Sequence, residues 1–152
     1  MTYLAKPKLL RPDTPKNALG YTRRDVELFV WLEALREWLI MFRARMRAAL
    51  PPIVITESGC AYNMGPDERG VVDDPQRVDY HAAHLAAVAD AIAQGVDVRG
   101  YYAWSLLDNF EWAAGYSCRY GLIYVDYPTQ QRIVKDSGWW YRDVIASNGA
   151  NL

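Results

Sequence analysis

Apolar side chains recur about every 3.6 residues from Thr22 to about Ala49, a spacing that predicts one amphipathic helix. Thr22 and Asp25 resemble a capping box at its start, and the Pro51–Pro52 pair ends it. Because this helix would be long for a globular protein, a break near residues 33–37 is an alternative. The apolar positions are Val26, Phe29, Val30, Leu35, Trp38, Leu39, Phe42 and Met46.

A β-branched run, Ile53–Thr56, follows the prolines and predicts a short strand. The polar loop Ser58–Asp74 comes next, and a loop of this length is typical of a functional segment. Asp74 then supplies an N-cap, with a proline at the first position, for a predicted helix over Pro75–Gln94. Gly95 ends that helix.

A second predicted strand, Val96–Leu106, leads into a polar and aromatic segment, Leu107–Tyr120. Gly121–Asp126 is a short apolar extended piece, and a loop that contains Pro128 follows it. The last helix begins at residue 136 or 137 and runs to about Ser147.

Strand, loop and helix therefore occur twice in the same order, which favours an α/β fold with a parallel sheet. Two strands do not form a stable sheet alone, so we expect part of a larger barrel. In this interpretation residues 22–152 form an incomplete barrel domain. Residues 1–21, with three prolines and no clear period, form an irregular N-terminal segment.

Composition narrows the class of protein. The 152 residues include 17 basic and 18 acidic side chains, so we expect no nucleic-acid partner. The two cysteines, Cys60 and Cys118, argue against a disulfide scaffold and are interpreted as free thiols, with a redox pair as the alternative. Without a signal-peptide core or the ~20 apolar residues of a membrane span, we expect a cytoplasmic protein with no membrane partner.

Glu57 is the first candidate for chemistry, because it is a carboxylate at the carboxyl end of a predicted strand. In a parallel α/β barrel, the active site is built at that end of the strands. A buried structural glutamate paired with an arginine is the alternative interpretation.

The segment Tyr101–Trp112 is the second candidate, since its strand also ends in polar and aromatic side chains. Carboxylates accept paired hydrogen bonds from sugar hydroxyls, and aromatic faces cover the C–H faces of a sugar ring. A loop packed by its own aromatic rings is the alternative. The polar and aromatic members are Trp104, Asp108, Asn109, Glu111 and Trp112.

His81 and His84 lie three residues apart on the second predicted helix and could suggest a metal site. A third ligand at a suitable spacing is not evident in the sequence. We therefore interpret both as structural histidines and expect no metal or cofactor.

Eight segments of the chain, in order, match the pattern of a known enzyme family. They are Ile55–Gly59, Val72–Asp74, His84–Leu85, Gly95–Trp112, Gly115–Tyr116, Arg119–Leu122, Val125–Asp126 and Lys135–Ser137. Through them residues 51–147 resemble the C-terminal end of a family 1 glycoside hydrolase, the retaining β-glucosidase family with a (β/α)8 TIM barrel. Residues 35–50 resemble it more weakly, and residues 1–34 match poorly. The resemblance implies that the two predicted strands are about strands seven and eight of the barrel.

The resemblance implies a role for five residues. Glu57 falls on the catalytic nucleophile of the family. Trp104 falls on the platform under the bound sugar ring, Glu111 on the carboxylate that holds the outer hydroxyls, and Trp112 on a neighbouring hydroxyl donor. Tyr120 stands where the family usually has Phe at the wall of the sugar site.

The second catalytic group that the resemblance requires is not found in the sequence. The family takes its acid/base from a Thr-x-Asn-Glu-Pro segment, and no asparagine of this chain precedes Glu-Pro. The resemblance therefore implies that the chain carries the nucleophile half of a site for hydrolysing β-glucosides or oligosaccharides, and is inactive alone. Its partner would be the missing N-terminal barrel half or a second copy. The alternatives are a split half-barrel that acts only by association and a sugar-binding relic.

Overall fold

The structure, a computed structural model, describes residues 22–23 and 29–152. Two short 3-10 helices, Arg47–Ala49 and Trp112–Ala114, supplement the regular elements. Within this part of the chain, no helix is long and apolar enough to cross a membrane. The regular elements are β1 (Thr22–Arg23), β2 (Phe29–Val30), α1 (Leu32–Met46), β3 (Ile53–Ser58), α2 (Pro75–Ala93), β4 (Val98–Ala103), β5 (Ile123–Val125), β6 (Arg132–Val134) and α3 (Asp136–Ala146).

β3 and β4 form a two-stranded parallel sheet, and α2 lies in the crossover between them. The predicted βαβ unit is confirmed, and the described strands do not close a barrel. Ile55 pairs with Tyr101 and Ser58 pairs with Ala103, so three steps along β3 match two along β4. This extra residue in β3 is a β-bulge near the carboxyl end of the strand.

The first helix is shorter than its sequence pattern suggests, and the predicted start at Thr22 is wrong. β1 and β2 pair as antiparallel strands, and the helix begins only at Leu32. Phe29 and Val30 fit a helical spacing, but aromatic and β-branched residues also favour strands. Asp25, the second member of the predicted capping box, lies outside the described residues. The helix ends before Pro51, as predicted.

β5 and β6 form an antiparallel hairpin, of which the sequence predicted only the first strand. β6 occupies part of the segment that the sequence predicted as a loop. The prediction missed it because three residues are too few to show the two-residue period of a strand. Leu107 bridges to Ile123 in parallel, so the hairpin lies beside the continuation of β4.

The core lies between the helices and one face of the β3–β4 sheet. Leu39 of α1 and Val88 of α2 form a buried cluster against which Ile53 and Ile55 pack. Tyr102, in contrast, is 61% exposed. The helices therefore cover only one face of the sheet.

Candidate functional site

Glu57 lies near the carboxyl end of β3, and the bulge decides the direction of its side chain. Ile55 is half-buried on the helix side, and Thr56 is exposed. Since side chains alternate along a strand, Glu57 would follow Ile55 toward the helices in a regular β3. The bulge between Ile55 and Ser58 breaks the alternation, and Glu57 is exposed like Thr56. Among the described residues its carboxylate has no ion pair, so the structure does not show the arginine-paired alternative.

Trp104 follows β4, and its backbone contacts the end of β3. The Trp104 N–H donates to the carbonyl oxygen of Ser58 at 2.7 Å. Gly59 packs so closely that a Cβ atom there would lie 1.9 Å from the carbonyl oxygen of Trp104. The peptide bond between Trp104 and Ser105 is cis. Glu57 and Trp104 are therefore held at neighbouring strand ends by backbone contacts.

Tyr120 is buried in a cluster with Ala61 and Cys118, and the half-buried Trp104 packs against this cluster. The structure therefore brings two of the predicted sugar-site residues into one packed group. Cys60 and Cys118 do not form a disulfide, as predicted, and both side chains are buried.

Glu111 and Trp112 lie in a tight turn. The Glu111 N–H donates to the carbonyl oxygen of Gly115 at 2.7 Å, and the Ala114 N–H donates to that of Glu111 at 2.8 Å. The Trp112 side chain is 83% exposed and its φ is +41°. Within the described part of the chain, no hydrogen bond or ring contact joins either residue to Glu57.

Asp108 is a buried structural carboxylate, and its sequence-based grouping with sugar-binding side chains is wrong. Its Oδ1 accepts hydrogen bonds from Lys135 Nζ and the Gly121 N–H, each at 2.9 Å, and its Oδ2 accepts one from Arg119 Nη1 at 2.7 Å. Both oxygens are therefore used inside the protein. Burial, together with the charge of Arg77, lowers the pKa of Lys135 to about 8, although Asp108 opposes the shift.

Arg77, in the first turn of α2, is fully buried and donates to four backbone carbonyl oxygens. Its Nη1 donates to Cys60 and, at 3.3 Å, to Tyr120. Its Nη2 donates to Tyr62 and to Arg119, each at 3.0 Å. Cys60 and Tyr62 follow β3, whereas Arg119 and Tyr120 precede β5. Arg77 therefore links the two loops that adjoin the candidate site.

Asp74 neutralises Arg77, with 2.7 Å between Asp74 Oδ2 and Arg77 Nε. The carboxylate also accepts hydrogen bonds from the backbone N–H and the hydroxyl of Ser137, at 2.8 and 2.7 Å. Asp74 occupies the N-cap position of α2, as predicted, but makes no side-chain cap hydrogen bond there. Arg77 and Ser137 use its oxygens instead, so Asp74 holds the first turn of α3 against α2.

The two histidines have structural contacts within the fold. His81 Nδ1 lies 2.9 Å from the Tyr101 hydroxyl, and burial, with the charge of Arg77, lowers the pKa of His81 to about 3. His84 Nδ1 lies 2.7 Å from the Tyr80 carbonyl oxygen, and the two rings stack. Across the described residues, no three His, Cys, Asp or Glu side chains are grouped as metal ligands would be.

Two residues that hold the loops, Arg77 and Asn63, are missed by the sequence-based reasoning. Asn63 Nδ2 donates to the Ser117 carbonyl oxygen at 2.8 Å, and its Oδ1 accepts from the Arg119 N–H at 2.9 Å. For Arg77 the sequence did hold a signal, since an arginine three residues after Asp74 at the start of a helix can form an ion pair with that aspartate. Asn63 carries no such signal in the sequence.

Comparison with known families decides the class of the protein. The model for glycosyl hydrolase family 1 matches residues 13–150. The chain belongs to this family. The resemblance found over residues 35–147 is confirmed, and the match reaches further toward the N-terminus.

Three curated relatives are between 43% and 56% identical to the chain over the aligned residues. Beta-glucosidase A of Thermotoga maritima is 43% identical over 145 residues, which are 95% of this chain and 30% of the relative. The 1,4-beta-D-glucan glucohydrolase of Thermotoga neapolitana is 56% identical over 145 residues, 95% of this chain and 31% of the relative. The beta-glucosidase of an Agrobacterium species is 48% identical over 138 residues, 90% of this chain and 29% of the relative.

Solved structures support the same assignment. The family 1 β-glucosidase from Thermotoga maritima superposes with a TM-score of 0.77 and 44% sequence identity, covering 92% of this chain and 30% of that enzyme. The same enzyme has been solved in complex with glucoimidazole, with the same score and coverage. The chain therefore spans about 30% of the length of the relatives it matches.

Proposed function

We propose that this chain supplies the nucleophile and part of the sugar-binding wall of a retaining β-glucosidase. The observation that carries the proposal is the placement of Glu57, whose exposed carboxylate lies within the bulge at the carboxyl end of β3. Active sites of parallel barrels are built at this end of the strands. Family membership and the β-glucosidase names of the relatives support a β-glucoside as the substrate class.

In the proposed reaction, Glu57 attacks the anomeric carbon of the sugar and the bond to the aglycone oxygen breaks. A second carboxyl group gives its proton to the departing oxygen, and a glycosyl ester on Glu57 remains. The second group then takes a proton from water, which attacks the ester and releases the sugar and the Glu57 carboxylate. These two carboxyl groups perform every step, so the proposal includes no metal or cofactor.

The remaining predicted residues would bind the sugar. Trp104 would lie under the ring, with Tyr120 behind it in the same packed cluster. The Glu111 carboxylate would accept hydrogen bonds from the outer hydroxyls of the sugar, and the exposed indole N–H of Trp112 would donate one. The contacts among Trp104, Tyr120 and the end of β3 support this arrangement, and the roles of Glu111 and Trp112 rest on the family resemblance.

The second carboxyl group is proposed to come from another part of a family barrel, in which β3 and β4 are the seventh and eighth strands. The 152 residues contain no Asn-Glu-Pro sequence. Among the described strands, β3 is the only partner of β4. A cavity of about 620 Å³ is lined by residues of β4 and α3, with Leu106 and Ile145 among its apolar side chains. We propose that the N-terminal half of the barrel docks along the other edge of β4, and that the chain alone has little or no activity.

The test is to mix the chain with a separately produced N-terminal barrel fragment of Beta-glucosidase A of Thermotoga maritima and to assay an aryl β-glucoside. Activity that appears only in the mixture and disappears in Glu57→Gln supports the proposal. Glu68→Gln, at an exposed loop position, is the matched control and should retain activity. If the two pieces associate but the mixture does not hydrolyse the aryl β-glucoside, the proposed β-glucosidase function is contradicted.

A sugar-binding relic is the second candidate, and the packing of Trp104 beside Tyr120 favours it over a purely structural fragment. Titration with glucose or cellobiose should then change the tryptophan fluorescence, and Trp104→Ala should remove that change. Binding without hydrolysis in the mixture would support the relic, whereas hydrolysis would exclude it. The cytoplasmic location stays a prediction.

A further inference from the structure

We propose that Arg77 is a positioning residue for the candidate active site. Its buried guanidinium would hold the loop that follows Glu57 at a fixed distance from the segment that carries Tyr120. This inference rests on the proposed function, because it assigns Arg77 to the geometry of the same site. Arg77 would act through these two loops and would not touch the sugar.

The guanidinium is placed to tie one loop to the other. Two of its acceptors, the carbonyl oxygens of Cys60 and Tyr62, lie three and five residues after Glu57. The other two belong to Arg119 and to Tyr120. Each terminal nitrogen of Arg77 donates to one carbonyl of each loop, so the two loops cannot separate without breaking hydrogen bonds at both nitrogens.

The chemistry of this position calls for arginine. A guanidinium presents five N–H donors in a rigid planar fork, whereas a lysine ammonium presents three donors on one atom. Arg77 uses Nε for Asp74 and both terminal nitrogens for the two loops. A lysine would keep the charge beside Asp74 but could not reach all four carbonyls at once.

The consequence for the site follows from the contacts of Tyr120. Its side chain packs in the cluster that contacts Trp104, and its carbonyl oxygen also accepts from the Ser105 N–H at 3.1 Å. A shift of Tyr120 would therefore move the end of the segment that carries Trp104, relative to Glu57. A misplacement of ~1 Å in a catalytic arrangement costs roughly 10²-fold in rate.

The first experiment uses the complete chain without any partner. Hydrogen exchange is measured by NMR for the amides of Tyr62 and Ser105, which bond to the Arg119 and Tyr120 carbonyls. In Arg77→Lys we expect both amides to exchange roughly tenfold faster or more, while the amides of the second half of α2 keep their rates. A uniform increase at all amides would indicate a general loss of stability and overturn the proposal, as would unchanged exchange. Arg77→Met is a more severe variant. If Arg77→Met does not fold, the measurement on Arg77→Lys is sufficient.

The second experiment uses the mixture with the N-terminal barrel fragment and an aryl β-glucoside. We expect Arg77→Lys to lower kcat by roughly 10- to 100-fold with a small change in KM, whereas Arg99→Lys on the exposed surface leaves both unchanged. A wild-type kcat in Arg77→Lys would overturn the positioning role and leave the proposed function standing. If the mixture with the wild-type chain shows no hydrolysis, the proposed function is refuted, and so is the effect of Arg77 on turnover. The hydrogen-exchange data would still show whether Arg77 holds the two loops together.

Discussion

The Glu57 carboxylate at the end of β3 and the Trp112 ring in its turn are open to solvent, whereas Arg77 and Lys135 are buried and paired. Arg77 is bonded to Asp74 and to four carbonyls, and Lys135 is bonded to Asp108. This difference in exposure indicates two separate roles, contact with a ligand and support of the loops. An exposed carboxylate can meet a ligand, and the buried ions hold the loops that place it.

Buried charges are stable only when they are paired and hydrogen-bonded, since each costs several kcal/mol to remove from water. These buried ion pairs therefore tolerate little change. Substitutions of the exposed residues should alter turnover with little effect on stability. Substitutions of the buried ions should alter stability, and should alter turnover only where the ion holds a loop of the candidate site, as Arg77 does. The following predictions test that separation, from the largest expected effect to the smallest.

Glu57→Gln should lower turnover of an aryl β-glucoside in the assembled enzyme by roughly 10⁴-fold, because the amide cannot form the glycosyl ester. Its free energy of unfolding should change by less than ~0.5 kcal/mol, as is usual at exposed positions. Steady-state kinetics and urea unfolding measure the two quantities. A strongly destabilised variant would show that Glu57 has a structural role, and the separation of tasks would not hold.

His81→Gln should reduce the loss of stability in acid. The pKa of His81 is about 3 in the folded chain against 6.5 unfolded, so the unfolded state binds the extra proton between these values. Stability from this group is therefore complete above pH 6.5 and is lost as the pH falls toward 3. At ~1.4 kcal/mol per unit the loss is at most about 5 kcal/mol. Urea unfolding from pH 7 to pH 4 should give a shallower slope for the variant, and equal slopes would refute this account.

Gly59→Ala should destabilise the protein by about 3 kcal/mol or more, because its Cβ would overlap the Trp104 carbonyl. Gly65→Ala is the matched control, since nothing lies within 4 Å of a Cβ there. Both can be compared by urea unfolding. Gly59 also lies where the end of β3 contacts Trp104, so a displacement there should move Trp104 relative to Glu57. Turnover in the assembled enzyme should therefore also fall in Gly59→Ala. Equal stabilities of the two variants would contradict the close contact of the strand ends.

Lys135→Met should remove a rise in stability at alkaline pH. The folded pKa of about 8 lies below the unfolded value of 10.5, so between these values the unfolded chain holds the extra proton. In the wild type the free energy of unfolding should therefore rise with pH from this group, by about 2 kcal/mol between pH 8 and 9.5. The range stops there because burial raises the pKa of Tyr101, which gives the opposite slope at higher pH. A variant with the wild-type slope would show that Lys135 does not titrate in this range.

The sequence was sufficient for elements whose signals are local. The helical period and the Asp74–Pro75 start placed α2, and the β-branched run after Pro51 placed β3. β1 and β2 were missed because Phe29 and Val30 satisfy a helical period as well as a strand preference. β6 was missed because three residues are too short for a period.

For the candidate site, the sequence identified the residues that we propose to bind the sugar, but not the residues that hold the neighbouring loops in place. Glu57 and Trp104 stand at strand ends in recognisable motifs. The bulge that exposes Glu57 depends on pairing with a strand more than forty residues away. Arg77 resembles an ordinary charged residue in a first helical turn, and only the folded loops supply the carbonyls that explain its burial.

The identity of the nucleophile can be measured directly. The chain, mixed with the N-terminal barrel fragment, is incubated with a dinitrophenyl 2-deoxy-2-fluoro-β-glucoside, whose leaving group needs little acid assistance and whose fluorine slows hydrolysis of the ester. Mass spectrometry of the peptic peptides should locate one fluoroglucosyl group on Glu57. A sugar ester on a different residue, or no labelling in a mixture that hydrolyses the aryl glucoside, would contradict the account.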